Sequence, residues 1–170
     1  MVKLRYATAL VRSSWLVTFL IILLSGSQAE ADWQYTRWGM TVHQVFVAAK
    51  GKLEPTPFGD ADVLANGNAK EELRGDYRSG ELRFKVKLYF DGQNKLCLVM
   101  LKPIDSLDPT RLEATLTAKY GKPYLDSTDD SFTVRRWLGD GSRVEELTIK
   151  PIDSTSIRYW PMSKEDMKGL

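Results

Sequence analysis

Histidine and cysteine, the side chains most used as transition-metal ligands or nucleophiles, occur once each, as His43 and Cys97. A zinc or copper site needs several such ligands converging, so neither metal has a ligand set here. One histidine allows at most one Ser-His-Asp relay, and no Gly-x-Ser-x-Gly elbow accompanies it. His43 falls at the second position of a predicted helix, where the macrodipole disfavours a positive imidazole, and reads as a solvated or capping-turn residue. Asp60-Ala61-Asp62 opens like a calcium loop, but Leu64 and Ala65 stand where an oxygen ligand and the turn glycine are required. The neighbouring acids Asp129-Asp130 and Glu145-Glu146 point to opposite faces within a strand, so a glycosidase pair needs residues from distant segments. No phosphate-cradling glycine loop is present. The residues therefore nominate no catalytic, cofactor-binding or metal-ligating position and imply no cofactor. They lean against an enzyme, leaving open a site assembled from scattered Asp, Glu, Tyr and Arg.

Binding is better served. Arg83, Lys85 and Lys87 recur at every second residue with Tyr89 next in phase, which places four side chains on one face of a strand. These four are the candidate partner-binding residues, a row that Arg135 and Arg136 extend. Their chemistry suits an anion or an acidic partner, although charge on the outward face of an antiparallel sheet is also ordinary. Leu96-Cys97-Leu98-Val99-Met100-Leu101 is apolar at every position and must bury both faces, under the protein's own loops or under a partner. Trp33, Tyr35 and Trp38 read as an arm that closes the core, with a carbohydrate or peptide platform as the alternative.

The elements that position these residues have clear punctuation. Thr41 and Gln44 form a capping box, Met40 and Val45 a hydrophobic staple, and Val42, Val45, Phe46 and Ala49 share a helical face before Gly51 stops the helix. A second helix is predicted from Asp108 at the N-cap and Pro109 at N1, through Leu112, Leu116 and Tyr120, to Gly121 and Pro123. Leu82 to Phe90 alternates as a strand, turns at Asp91-Gly92-Gln93-Asn94 and returns over Lys95 to Lys102. A second hairpin runs from Phe132 to Leu138 and from Arg143 to Lys150, with further strands at Lys70 to Tyr77 and Thr155 to Trp160, and another marked by Trp33 and Tyr35. Lys102-Pro103-Ile104-Asp105-Ser106 recurs as Lys150-Pro151-Ile152-Asp153-Ser154, each after a strand returning from an Asp-Gly turn. The repetition predicts an α+β fold of two helix-plus-antiparallel-strand units forming a sheet with helices on one face. The first unit carries an insertion, Pro55 to Arg74, that reads as a long loop.

Residues 1–29 have the form of a secretory signal peptide: Lys3, Arg5 and Arg12, an apolar run from Trp15 to Leu24, and Ser27-Gln28-Ala29, with cleavage after Ala29 or Ala31. The apolar run is about half the roughly 20 residues that span a bilayer, so no integral span is expected after signal removal. No cysteine near either cleavage point offers a lipid acceptor. The full chain carries +2; the leader supplies three positive charges and no negative ones, leaving −1 and no electrostatic case for nucleic acid. Residues 30–161 read as one domain of two related units, about 33–106 and 107–161, followed by a tail, 162–170. Lone Cys97 reads as a small buried apolar side chain.

Gly39-Met40-Thr41-x-x-Gln44-Val45, with Gly51 and Pro55 downstream, resembles the helix-opening motif of the small outer-membrane-assembly lipoproteins (the SmpA/BamE group) and of the wider fold shared with beta-lactamase inhibitor protein. Tyr120-Gly121-Lys122-Pro123 resembles the same motif set at the second helix. The resemblance implies a periplasmic or secreted helix-and-sheet binding module, not an enzyme, whose partner is another envelope protein. An inhibitor that blocks a partner enzyme's cleft with the 55–74 loop is a variant of that expectation.

Overall fold

The computed structural model describes residues 33–64, 66–105, 108–139 and 141–167. The leader and both cleavage points lie outside these residues. Helix α1 spans Val42–Ala49. Thr41 Oγ1 accepts from the Gln44 N–H at 3.3 Å, and Gln44 Oε1 accepts from the Thr41 N–H at 2.9 Å, so two orphan donors of the first turn are satisfied. Lys50, at φ 49°, and Gly51, at φ 81°, turn the chain out of the helix. Helix α2, Pro109–Tyr120, starts where Asp108 accepts from the Thr110 N–H at 2.9 Å and ends at Gly121.

Four strands lie between the two helices, β1 (Leu53–Pro55), β2 (Ala69–Ser79), β3 (Leu82–Asp91) and β4 (Leu96–Pro103), and four follow α2, β5 (Leu125–Thr128), β6 (Phe132–Gly139), β7 (Ser142–Ile149) and β8 (Ser154–Pro161). They form one sheet in the order β1-β2-β3-β4-β8-β7-β6-β5, and each neighbouring pair is antiparallel. A last turn of helix, α3 (Lys164–Met167), closes the described chain. Among the described residues no helix is long and apolar enough to cross a membrane.

This architecture corrects the expected one. Two helix-plus-strand units with helices laid on one sheet face are not what forms; the molecule is one continuous eight-stranded sheet with small helices. The physical reason lies in β4. It is apolar on both faces and cannot serve as the edge of a unit, so it pairs with β3 on one side and with β8 on the other. The helices are too small to supply a layer: α1 buries only Val45 and Ala49, and α2 only Leu112 and Leu116. Phe46, expected on the inner face of α1, is 41% exposed. Most of the core comes from the strands themselves, with Phe84, Val86, Leu88, Val99 and Leu101 joined to Trp137, Val144 and Ile157 in one cluster.

The twin pentapeptides also occupy different settings. Lys102 and Pro103 end β4 and pair with Lys85 and Phe84, whereas Lys150–Ile152 form a 3₁₀ turn between β7 and β8. The first copy therefore begins inside the fourth strand and the second follows the seventh, out of phase for a tandem repeat.

Candidate functional site: an anchored loop over the basic row

β2 holds the key irregularity. Its register against β3 runs Glu71↔Tyr89 and then Leu73↔Leu88, so Glu72 is an extra residue in a bulge. Without the bulge, residues three apart in a strand face opposite ways. With it, Glu71 and Arg74 share a face, and that face carries Arg83, Lys85, Lys87 and Tyr89 of β3. It is the face opposite the one that receives the buried residues of α1 and α2.

The predicted row is therefore brought together, but each cation already has a carboxylate. Arg83 pairs with Asp105 at 2.7 Å, and Lys85 with Asp76 at 2.7 Å. Lys87 bonds both Asp62 and Glu71, the latter at 3.0 Å. Burial pulls the Lys87 ammonium down, and the two hydrogen bonds outweigh that pull and hold it above the ordinary lysine value. Tyr89, 2% exposed, is core, and burial drives its phenol far above the usual tyrosine value. Of the two arginines expected to extend the row, only Arg136 lies on its face, in line with Lys87 across Met100, Arg158 and Glu145, and it pairs with Glu145 at 2.8 Å. Arg135 lies on the helix-bearing face with Glu146.

Glu71, wholly buried, is the centre of the arrangement. Its Oε1 accepts from Arg74 Nε at 2.8 Å and Thr56 Oγ1 at 3.1 Å, and its Oε2 takes Lys87 Nζ and the Asp62 N–H at 3.4 Å. Thr56 and Asp62 belong to the loop of residues 56–68, so Glu71 fastens that loop at two points. Backbone bonds from Thr56 N to Glu72 O (2.9 Å), Glu71 N to Asp62 O (2.8 Å) and Leu64 N to Ala69 O (3.0 Å) fasten it again. Arg74 Nη2 also donates to the Asp60 carbonyl at 3.2 Å. The hydrogen bond to Lys87 holds the Asp62 carboxyl below its ordinary range.

Between the two anchors the loop turns at Pro57-Phe58-Gly59-Asp60, where the Asp60 N–H reaches the Pro57 carbonyl at 3.1 Å and Gly59 takes φ 92°. That sign of φ at the third position belongs to a type II turn and calls for glycine. Phe58, at the second position, is wholly exposed. Beside the loop a hollow of ≈ 640 Å³ is lined by Lys52, Glu54, Arg74, Asp76, Lys85 and Lys87, among others.

The second apolar face of β4 is covered from within the molecule. Leu98 and Met100 pack with Ala69 and Tyr89, and Leu64 of the loop, Cys97 and Trp160 complete the cluster. Burial pushes the Cys97 thiol up to about 11, and its Sγ lies 3.4 Å from the Tyr89 carbonyl. At the far end of the same face, Asp166 of α3 meets Arg143 at 3.6 Å and Tyr124 Oη at 3.2 Å. His43 is exposed on α1. Among the described residues no group of three or more His, Cys, Asp or Glu is placed to hold a metal ion.

Sequence reasoning passed over Glu71, which looks like a solvated member of Lys70-Glu71-Glu72. The available signal was the length of the polar run: one residue too many before Leu73 marks a bulge. Phe58 was hidden inside a segment read as a long loop, and in the inhibitor variant as a blocking loop, with no residue of it singled out. No protein-family model, curated protein or solved structure matches the chain.

Proposed function

We propose that this chain is an exported, non-catalytic protein-binding module of the cell envelope that engages its partner through the loop of residues 56–68. Phe58 carries the reading: a large apolar side chain stands wholly in water at the tip of a turn bolted to the sheet on both sides. Aromatic anchors dominate interface energies, and a loop already held in one conformation loses little entropy on binding. Support for export comes from the leader-like residues 1–29. Of the basic row, Lys87 serves the loop, holding it in place together with Arg74 of β2, while Arg83 and Lys85 are matched by acids on the exposed surface.

Capture of partners from envelope extract by the immobilised mature chain tests the proposal, with Phe58→Ala run beside an Arg83→Glu/Lys85→Glu double variant. Truncating a central aromatic anchor costs 2 kcal/mol or more, roughly 30-fold in affinity. The expected result is that Phe58→Ala loses the partner and the double variant keeps it; the reverse pattern returns the contact to the basic row. A partner enzyme whose activity falls on binding identifies the inhibitor variant of the same function.

A further inference from the structure

Glu146 of β7 is wholly buried, yet it is served very differently from Glu71. It alternates with core residue Val144 and stands across from Ile157 of β8, which places it on the helix-bearing face. Its Oε2 lies 3.5 Å from Arg135 Nη1, and no donor among the described residues reaches its Oε1. The same guanidinium also meets Glu113 of α2 at 3.2 Å and Asp126 of β5 at 3.2 Å. Arg135 Nε faces Asp126 without the alignment of a hydrogen bond. One formal positive charge thus faces three carboxyls, one of them out of water, at the joint where α2 and the edge strand β5 meet the sheet.

We propose that Glu146 makes this flank a pH-sensitive joint, closed while its carboxyl is protonated and loosened when it ionises. The charged groups facing it are Glu113 from α2, Asp126 from β5 and Arg135 from β6; β8 presents Ile157 and, one pair along, Tyr159. Ionised, Glu146 leaves the cluster with two uncompensated negative charges. Protonated, it removes one of them and acquires a donor. Burial raises the Glu146 carboxyl above the ordinary glutamate value, opposed by Arg135 and aided by Glu113 and Asp126. A carboxyl raised in the closed state gives up its proton when α2 lifts and water enters. The stability it contributes is complete below the ordinary glutamate value and is lost as pH rises through the raised one. In that interval, release of one proton makes opening up to about tenfold more favourable per pH unit.

Hydrogen exchange of the α2 and β5 amides, expressed as protection factors from pH 4.5 to 8, reads the joint directly. The full-length protein is expected to lose protection in α2 and β5 as pH rises, with β3 and β4 unchanged. Glu146→Gln, which mimics the protonated acid, is expected to hold the low-pH protection across the whole range. Glu113→Gln removes a half-exposed like charge without disturbing the core and is expected to shift the loss of protection to lower pH. A flat wild-type profile overturns the proposal, as does an unchanged slope in Glu146→Gln. Should Glu146→Gln fail to fold, an unmoved profile in Glu113→Gln overturns it instead.

Discussion

Two glutamates lie wholly inside this sheet, one in the β1–β4 half and one in the β5–β8 half. Glu71 has two cations and four donors shared over both oxygens. Glu146 has one shared guanidinium and an oxygen that no donor among the described residues reaches. Burial of a carboxylate is costly wherever it occurs, and the cost is offset only when hydrogen bonds and opposite charge are complete. The first half meets that condition and uses the result to fasten a loop. The second half does not, and the shortfall leaves a group whose protonation changes the structure around it. Equal burial of the same side chain thus yields an anchor in one place and a joint in the other.

The largest test of this contrast is Glu71→Gln. Removing one partner from a buried pair costs roughly 3–5 kcal/mol, and the low end applies because Arg74 and Lys87 reach solvent. Chemical denaturation is expected to show a loss of about 3 kcal/mol at neutral pH, whereas Glu146→Gln is expected to be neutral or stabilising there. Equal losses in the two variants would abolish the distinction. The two halves also respond to pH with opposite sign. Asp62, lowered by its bond to Lys87, stabilises the fold above the ordinary aspartate value and loses that contribution as pH falls through the depressed one. Glu146 loses its contribution as pH rises. Acid is therefore expected to free the 56–68 loop while tightening α2, and proteolysis after Phe58 compared with α2 protection separates the two.

A second, smaller effect probes the other side of the anchored half. A Cβ at Gly75 would lie 2.5 Å from the Lys52 carbonyl and 2.9 Å from Leu53 Cδ2. The obstruction is backbone and cannot swing aside, so Gly75→Ala must push β1 off β2. Overpacking of this kind costs about 1–3 kcal/mol. Thermal unfolding is expected to fall accordingly, with cleavage in the 51–68 segment rising before global unfolding. Retained stability would mean that β1 contributes nothing to holding the loop.

Local signals in the chain were the readable ones. Thr41 and Gln44, Asp108 and Pro109, and the alternation of Leu82 to Phe90 each act within a few residues, and both helices and the β3–β4 hairpin form where those signals lie. Short strands escaped: Leu53–Pro55 and Leu125–Thr128 carry too few residues for a period, and they exist because β2 and β6 offer them an edge. The partition into two units failed because pairing of β4 with β8 is a long-range choice that no local pattern records. The basic row was legible as a row, but its neutralisation was not. Asp62, Asp76 and Asp105 reach it from three different segments. Glu145 and Glu146 were half legible, since neighbours in a strand must face opposite ways, and one of them had to point inward.

The smallest expected effect on the fold is also the most informative for function. Phe58 touches nothing that the sheet needs: it is wholly exposed, and the turn beneath it is made by backbone and by Gly59. Phe58→Ala is therefore expected to change unfolding free energy by no more than about 0.5 kcal/mol. Glu71→Gln is expected to lower stability and also to release the loop, which chymotrypsin would report as faster cleavage after Phe58. If Phe58 is an anchor held ready by Glu71, the two variants should weaken partner capture for different reasons: the first by deleting the contact, the second by restoring the entropy that the loop must lose on binding. Adding back rigidity without the network, through a disulfide across the base of the loop, should then rescue Glu71→Gln and leave Phe58→Ala unrescued. Rescue of neither would separate the buried carboxylate from recognition and leave it a purely structural tie.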